Sequence, residues 1–463
     1  MHLILLSGGI GKRLWPLSNE SRSKQFIKLL SAEHNTVESI SMLQRVWHQL
    51  KKANLCNQAA ISTSKHQTGM IKKQLGSNIP LIIEPSRRDT YPAILLACSY
   101  LYSVKELDPH EVVIVLPVDI YVEDDFFREL YSLESIIQSS NASLALMGIT
   151  PTFPSEKYGY IIPQRLRQSS NISYQKVNYF FEKPSQSKAT HLLKEGAMWN
   201  SGVFAFKLKF IIEHLQSLEL PLDYEKMVKN YESLPINSFD YEIVEKTNNV
   251  VVSPYKGIWK DLGTWNTLTE EMDEPLIGKG SVSGNSHNVH IINELDIPVS
   301  VLGLSNLVVA ASPDGILVSD KEASIGVKDL ANHFIQRPMY EEFSWGWYRV
   351  IDYVKYNNNK EVLTKRISIS AHQNLKYQKH LQRREIWNVV NGVGLFALNG
   401  KIQTIKPGDV VEVAQGMPYS IKAITDLDFI EVQIGPKLIE EDVIAIFINW
   451  EEIENHCTRI TTN

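Results

Sequence analysis

Three glycines and three cations lie close together near the start of the chain, in the stretch GGIGKRLWPLSNESRSKQF. They are Gly8, Gly9, Gly11, Lys12, Arg13 and Lys24, and they directly follow the apolar run HLILLS, which ends at Ser7. Glycines let backbone N–H groups approach a ligand, and an arginine can hold two phosphate oxygens in its planar fork. A helix that began here would add its positive N-terminal end. The stretch therefore predicts a site for a polyphosphate.

Two familiar phosphate-binding motifs are excluded by spacing. A Walker loop would need a glycine at Leu6, and the dinucleotide fingerprint would need a glycine at Leu14. A tight turn with solvated cations is the alternative, and the following RLWPLS and KQF segments favour a binding site over it.

Two acids stand where a metal could be held. Asp119 ends the apolar run VVIVLPVD, and Asp261 lies in GIWKDLGTW. Open α/β sheets bind ligands at the ends of their strands, and a hard cation such as Mg²⁺ prefers carboxylate oxygens. An aspartate at a strand end is also a common turn or cap residue.

Two further segments, FFEKP and MWNSGVFAF, place polar groups in an apolar setting. Glu182 can accept hydrogen bonds from two hydroxyl groups, Lys183 can meet a phosphate, and Asn200 can both donate and accept. Buried polar groups matched to hydroxyls discriminate strongly between sugars. A turn and a structured loop are the alternatives for these two segments.

The pattern GGxGxRLxPLS…KQF resembles the signature of the sugar-1-phosphate nucleotidylyltransferases, and its LWPLS…KQF form resembles the mannose-1-phosphate guanylyltransferases. The resemblance implies that Arg13 holds a triphosphate, that Lys24 stabilises the α-phosphate and the leaving group, and that Asp119 and Asp261 bind metal. Lys12 stands where that family has a small polar residue, and Ile120 stands where it has a histidine.

Further segments resemble the same family in the same order. YGYI includes Gly159, which would let the backbone approach the sugar, and EPSRRDTYPAI resembles a nucleotide-site segment and includes Arg88 and Asp89. Asp89 replaces an amide: it could pair with the two N–H donors of guanine, or it could serve as a helix N-cap. The acids of SFDYEIVEK also lie in a family segment, and we expect them to be structural. The predicted nucleotide-binding residues are Ser7, Gly8, Gly9, Gly11, Lys12, Arg88 and Asp89.

The C-terminal part, from SWGWYRVI onward, resembles the cupin half of bifunctional mannose-6-phosphate isomerase/mannose-1-phosphate guanylyltransferases. That family has HHHRAEHW where this chain has HLQRREIW, with His380, Gln382 and Glu385, and Tyr419 stands at the position of a later histidine. Because histidine is the preferred ligand of such metals, we expect isomerase activity to be lost or much reduced. The domain would then serve dimerisation or stability; residual metal binding through His380 and Glu385 is the alternative.

Composition sets wider limits. The chain has 463 residues, of which 43% are hydrophobic and 21% charged, with a net charge of −5 and three cysteines. About 150 residues per domain suggests three domains, and the charge does not favour nucleic acid as a partner. The widely spaced cysteines fit a reducing cytoplasm, and we expect neither a signal peptide nor a membrane span.

The periodicity of apolar residues predicts the fold class. Short apolar runs alternate with longer amphipathic stretches over residues 1–272, which predicts an α/β domain with a mainly parallel sheet. The family resemblance implies that this is a Rossmann-like nucleotidyltransferase domain with a mixed sheet. We expect a small β-rich, β-helix-like connecting domain over 273–338 and a cupin-like β-barrel over 339–463. A helix is predicted over 89–103, an Asn-Gly hairpin over 398–402, and a helix-like tail after Lys437.

The sequence thus predicts an enzyme that joins a nucleoside triphosphate to a sugar 1-phosphate with Mg²⁺. GTP and mannose 1-phosphate are the favoured pair. Another hexose or heptose phosphate or another nucleotide, an active bifunctional isomerase, and a non-catalytic binding regulator are the alternatives. We also expect a homodimer to be compatible with this architecture.

Overall fold

A computed structural model describes the chain apart from residues 10, 20–21, 32–38, 165–172, 335–336, 440–441 and 461–463. Its contacts divide the chain into two compact units. The first comprises residues 1–14, 23–275 and 320–328, and the second comprises residues 15–22, 276–319 and 329–463. The connecting segment and the C-terminal barrel fall in one unit, and the finer boundaries at 272 and 338 stay a prediction.

The first unit is an α/β domain. Its described strands are β1 (His2–Leu6), β2 (Lys28–Ser31), β3 (Ser39–Ser41), β4 (Ala59–Ser64), β5 (Leu81–Glu84), β6 (Val112–Pro117), β7 (Ile120–Val122), β8 (Leu144–Ile149), β9 (Tyr160–Pro163), β10 (Gln175–Phe181), β11 (Met198–Lys207), β12 (Val250–Tyr255) and β13 (Trp259–Asp261). Its helices are α1 (Met42–Lys52), α2 (Thr68–Leu75), α3 (Thr90–Ser103), α4 (Asp125–Ser139), α5 (Gln186–Lys194), α6 (Leu208–Ser217), α7 (Tyr224–Asn230) and α8 (Trp265–Thr269).

Nine of these strands form one sheet in the order β5-β4-β1-β6-β11-β8-β12-β10-β9. β5, β4, β1 and β6 are parallel neighbours, and β8 is parallel to β12. β11 runs against β6 and β8, and β10 runs against β12 and β9. Only β10 and β11 therefore oppose the common direction within the described sheet, which confirms the expected mainly parallel mixed sheet.

The strand β1 shows why apolar runs without alternation predicted buried strands. It pairs on one side with β4 and on the other with β6, and Leu3, Ile4 and Leu5 are fully buried. Leu3 and Leu5 face one hydrophobic cluster, with α1 and α4, whereas Ile4 faces a second cluster with α3 and α6. A strand covered by helices on both faces has no polar side, which removes the period-two pattern.

The second unit is dominated by strands. They are β14 (Leu276–Ile277), β15 (Gly280–Val282), β16 (His287–Asn293), β17 (Val299–Val301), β18 (Ser305–Ser312), β19 (Gly315–Asp320), β20 (Tyr340–Phe343), β21 (Gly346–Tyr356), β22 (Lys360–Ile369), β23 (Tyr377–His380), β24 (Arg384–Asn391), β25 (Gly394–Leu398), β26 (Lys401–Ile405), β27 (Val410–Val413), β28 (Tyr419–Ala423), β29 (Leu427–Gly435), β30 (Val443–Phe447) and β31 (Thr458–Arg459), with helices α9 (Val327–Ala331) and α10 (Trp450–His456).

The last strands form two six-stranded sheets, ordered β20-β21-β22-β29-β24-β27 and β30-β23-β28-β25-β26-β31. Aromatic residues such as Trp387, Phe396 and Phe429 fill the space between them. The Asn-Gly hairpin is present between β25 and β26, where both Asn399 and Gly400 have positive φ. The prediction of a helix-like tail was partly wrong: Val443–Phe447 form β30, which pairs with β23, and the helix begins only at Trp450. β-branched Val443, Ile444 and Ile446 favour a strand there.

No helix among the described residues is long and apolar enough to cross a membrane.

Candidate active site

One lysine links the two predicted metal-binding acids. The ammonium Nζ of Lys24 lies 2.8 Å from a carboxylate oxygen of Asp119 and 3.4 Å from one of Asp261. Asp119 follows β6, and the antiparallel pairing of β13 with β7 sets Asp261 opposite Ile120. A residue early in the chain and two carboxylates from distant segments therefore meet at one point in the first unit.

The charge on Lys24 is stabilised by this arrangement. Burial alone would lower the pKa of its ammonium, but the opposing charges of Asp119 and Asp261 raise the pKa well above its usual value. Gly11 leaves room for this side chain: a Cβ at Gly11 would lie 2.5 Å from Cβ of Lys24, and its φ of +70° favours glycine. The glycine turn thus positions the lysine as well as exposing backbone.

The rest of the glycine turn is fixed by a buried glutamine. Nε2 of Gln25 donates to the carbonyl oxygens of Ser7, at 2.8 Å, and Gly9, at 3.3 Å. Gln25 belongs to the KQF segment, whose residues Lys24–Phe26 form a short 3₁₀ helix. Within KQF, the lysine therefore reaches the carboxylates while the glutamine holds the turn, which gives a physical reason for their adjacency.

A buried carboxylate that the sequence analysis did not select lies beneath this turn. Glu84 ends β5, and its Oε1 would be 3.5 Å from a Cβ on Gly8. Ser62 and Tyr231 donate to its two oxygens at 3.1 and 3.2 Å, and burial raises the pKa of the carboxyl group. Like Asp119, Glu84 follows an apolar run at the carboxyl end of a parallel strand, so the same rule could have identified it.

Three of the four predicted sugar-binding residues line one cavity of about 230 Å³ together with the Lys24 group, and Lys183 does not. Gly159, Glu182 and Asn200 all contribute to its wall. A Cβ on Gly159 would come within 2.4 Å of Oε2 of Glu182, so this position has no room for a side chain. The structure therefore brings these three predicted residues together with Lys24, Asp119 and Asp261.

Asp240, which was expected to be structural, also lines this cavity. It accepts a 2.7 Å hydrogen bond from Nδ2 of Asn200. Burial, and then the charge of Glu182, raise the pKa of the Asp240 carboxyl to about 7. Asp240 begins a π-helix that ends at Val244, and such widened turns often occur at functional sites. The signal available in the sequence was the family-like segment SFDYEIVEK.

Lys157 and Tyr158 are two further lining residues that were not predicted. The Tyr158 ring packs against Trp199, with centroids 4.9 Å apart, and against Trp259, at 5.4 Å. Burial, and then the charge of Asp261, raise the pKa of the Tyr158 phenol. Both residues directly precede Gly159, so the YGYI segment contributes more to the cavity than its glycine.

Other predicted residues have different surroundings. The Arg88 guanidinium pairs with Glu232 at 2.9 Å and donates to the carbonyl of Leu234, which ties it to neighbouring structure. Asp89 accepts a 2.7 Å hydrogen bond from the backbone N–H of Thr90 at the start of α3, in agreement with the N-cap interpretation. Lys183 pairs with Glu182 at 2.7 Å, and its own side chain is 54% exposed.

Arg13 and Lys12 are the two remaining predicted phosphate-binding cations. Arg13 lies in the 3₁₀ turn Lys12–Leu14, and its charge acts on Lys157 and Tyr158. The side chain of Lys12 lies outside the described residues.

In the second unit, the guanidinium of Arg383 bonds to His380 and Glu385, the two residues that were predicted to retain metal binding. Arg383 donates through Nε to Glu385 at 2.9 Å, and its Nη2 lies 3.0 Å from Nε2 of His380. The hydroxyl of Tyr419 lies 2.7 Å from that same nitrogen, and Gln382 is exposed. His380, Arg383 and Glu385 are all buried. Because an arginine already bonds both candidate ligands, these residues do not fit a metal.

Asp240 generates a testable dependence of stability on pH. Its folded-state pKa of about 7 lies above the usual value of 3.8, so folded molecules bind more protons than unfolded ones between those values. Stability therefore falls as pH rises toward and through 7. Asp240→Asn keeps an acceptor for Asn200 and removes this dependence. We expect the melting temperature of this variant, relative to the unaltered chain, to be higher at pH 8 than at pH 5.5.

Differential scanning calorimetry at both pH values measures this difference. The matched control is Asp125→Asn, since the Asp125 side chain is 75% exposed and should show no such trend. An Asp240→Asn effect of equal size at the two pH values would show that the carboxyl group does not titrate there.

The chain matches two known protein families. The Nucleotidyl transferase family matches residues 2–276, and the Mannose-6-phosphate isomerase C-terminal family matches residues 331–447. A mannose-1-phosphate guanylyltransferase of Salmonella muenchen is 29% identical, over 96% of this chain and 97% of its own length. The xanthan biosynthesis protein XanB of Xanthomonas campestris is 28% identical, over 95% and 97%.

A solved structure from Thermus thermophilus, described as a mannose-1-phosphate geranyltransferase, matches with a TM-score of 0.60 and 28% identity; the match covers 72% of this chain and 98% of that one. The nucleotidyl transferase match extends over more than half of the chain and contains every residue of the cavity described above. The chain belongs to the nucleotidyl transferase family, and its C-terminal part resembles the C-terminal domain of mannose-6-phosphate isomerases.

Proposed function

We propose that the chain transfers a nucleotidyl group from a nucleoside triphosphate to a sugar 1-phosphate, with GTP and mannose 1-phosphate as substrates and GDP-mannose and pyrophosphate as products. The observation that carries the proposal is the meeting of Lys24, Asp119 and Asp261 at one end of a cavity whose other lining residues include Glu182 and Asn200. The names of the curated relatives support the same reaction.

The reaction needs positioned charge rather than a covalent intermediate. An oxygen of the sugar phosphate forms a bond to the α-phosphorus of the triphosphate, and the bond from that phosphorus to the bridging oxygen breaks. Pyrophosphate leaves with the bonding electron pair. Negative charge builds up on the phosphate oxygens, and preorganised cations lower this barrier. Lys24, held charged by its surroundings, is placed to stabilise that charge.

The two aspartates fit a divalent cation. They converge on a single cation already, the ammonium of Lys24, and both offer hard oxygen donors. No cluster of three or more acidic, histidine or cysteine side chains suited to a metal exists among the described residues. Two carboxylates suffice for Mg²⁺, because it commonly completes its coordination with water and substrate phosphates. When bound there, Mg²⁺ would offset charge on the phosphates.

The position of Glu84 supports guanine as the base. Its carboxylate lies beneath Gly8, in the glycine turn that we assign to the nucleotide. Guanine carries neighbouring N1–H and N2–H donors, and a carboxylate can accept from both; cytosine and adenine offer no such pair of donors. Each Glu84 oxygen accepts one hydrogen bond within the protein and keeps a second acceptor site, whereas Asp89 is exposed and lies at the helix N-cap. Glu84 thus replaces Asp89 as the proposed base-reading acid.

A matrix of four nucleoside triphosphates against several hexose and heptose 1-phosphates tests the reaction. We expect pyrophosphate release, measured by a coupled phosphate assay, to be fastest with GTP and mannose 1-phosphate. Preference for another pair would redefine the substrates within the same reaction class. Absence of release with every pair would favour a non-catalytic binding protein.

Asp119→Asn tests the metal-binding role. The change keeps the shape of the side chain and removes the charge that faces Lys24, so we expect kcat to fall by at least about 100-fold while the circular dichroism spectrum is unchanged. Asp125→Asn serves as the control that removes an exposed acid elsewhere in the same unit. Turnover within a factor of about two of the unaltered enzyme would remove Asp119 from the metal site.

For the C-terminal barrel we propose no isomerase activity. Its support is the Arg383 guanidinium bonded to both His380 and Glu385. We expect no conversion of mannose 6-phosphate to fructose 6-phosphate above background with added Zn²⁺, Mn²⁺ or Co²⁺, measured in a coupled assay. Metal-dependent conversion by the unaltered chain would contradict this.

A further inference from the structure

Lys157 differs from Lys24, the other lysine that lines the candidate active-site cavity, in that no carboxylate among the described residues forms an ion pair with its ammonium. Lys24 contacts two carboxylates, whereas the ammonium of Lys157 has no ion pair or hydrogen bond within the described part of the chain. Its side chain is half-buried. A half-buried charge without a partner lowers the stability of the folded protein. Lys157 therefore differs from an ordinary surface lysine whose ammonium is solvated.

The electrostatic surroundings of Lys157 involve residues predicted to act on the triphosphate and the metal. Burial lowers the pKa of its ammonium first, the charge of Arg13 lowers it further, and the charge of Asp261 opposes both. The next residue, Tyr158, responds to Asp261, Lys24 and Arg13. The charges of the predicted triphosphate-binding arginine and of a predicted metal ligand therefore both act on Lys157.

Lys183, in the predicted sugar-binding segment, is less suited than Lys157 to bind a substrate in the cavity. Lys183 is already paired with Glu182 at 2.7 Å, and more than half of its side chain is exposed. It does not line the cavity, whereas Lys157 does. Of these two lysines, only Lys157 lines the cavity, and its ammonium has no bonded partner among the described residues.

We propose that Lys157 is a further substrate-binding residue, whose ammonium donates to a phosphate oxygen of a substrate in this cavity. The inference rests on the proposed function, since that function supplies the anion. Both the triphosphate and the sugar phosphate carry anionic phosphate oxygens that can accept this hydrogen bond. The Michaelis constants for the two substrates distinguish them.

The test compares Lys157→Gln with Lys157→Arg. A hydrogen bond to a charged group is commonly worth a factor of about 10 to 100, so we expect kcat/KM of Lys157→Gln to fall by that amount. A rise confined to the KM for sugar phosphate would identify the sugar 1-phosphate, and a rise confined to the KM for GTP would identify the triphosphate. Lys157→Arg keeps the charge, and we expect it to recover most of the loss.

A pH profile separates binding from a structural role. The charged groups that act on Lys157 are Arg13 and Asp261, and Lys24 and Tyr158 line the same cavity with pKa values above their usual ones. Lys157 is thus the group whose charge is lost first as pH rises. We expect the alkaline limb of kcat/KM to move to higher pH in Lys157→Arg, because a guanidinium stays charged.

Lys194→Gln is the matched control, since Lys194 is exposed on α5. Titration with inorganic pyrophosphate keeps the test independent of turnover: binding should weaken about tenfold or more in Lys157→Gln if the triphosphate is the partner. If the unaltered chain turned over no substrate pair, the proposed function would fail separately. If Lys157→Gln matched the control in both Michaelis constants and in pyrophosphate binding, the assignment of Lys157 would be overturned.

Discussion

The candidate active site is organised by one largely buried ammonium, that of Lys24, held between two carboxylates. Lys24, Asp119 and Asp261 come from three separated segments, and each segment is fixed by its own local structure: a 3₁₀ turn, the end of a central strand, and a short two-stranded pairing. A lysine buried without counter-ions would tend to lose its proton. The charges of the two aspartates instead raise the pKa of the Lys24 ammonium, so this group stays protonated at neutral pH.

The sequence predicted the parts of this site that follow from strand ends and glycine turns. Asp119 could be identified because the uninterrupted run VVIVLPVD indicated a strand buried on both faces, and β6 is such a strand. Gly11 could be identified as a turn residue, but its close contact with Lys24 could not, since it depends on how the chain folds back after Leu14.

Residues whose surroundings depend on a distant neighbour were not selected from the sequence. Asp240 reads as an ordinary helical acid until Asn200 and Glu182 are placed beside it, and Lys157 reads as a surface lysine until the cavity is known. Arg88 shows the converse case: its segment resembles a nucleotide site, but Glu232, far along the chain, holds its guanidinium. In the barrel, the pattern KLIEEDVIAIFINW is compatible with a strand and with a helix, because short apolar runs occur in both. The strand is decided by pairing with β23, which the sequence does not show.

The guanidinium inside the barrel has a consequence for how this domain can change over evolutionary time. Replacing Gln382 and Tyr419 by histidine would restore two imidazoles, yet Arg383 would still neutralise Glu385 and cover Nε2 of His380. A protein-borne cation also cannot be removed by a chelator or lost when metal is scarce. Recovery of a metal centre would first require the arginine to be displaced, which would leave a buried glutamate unpaired, so the intermediate steps are disfavoured.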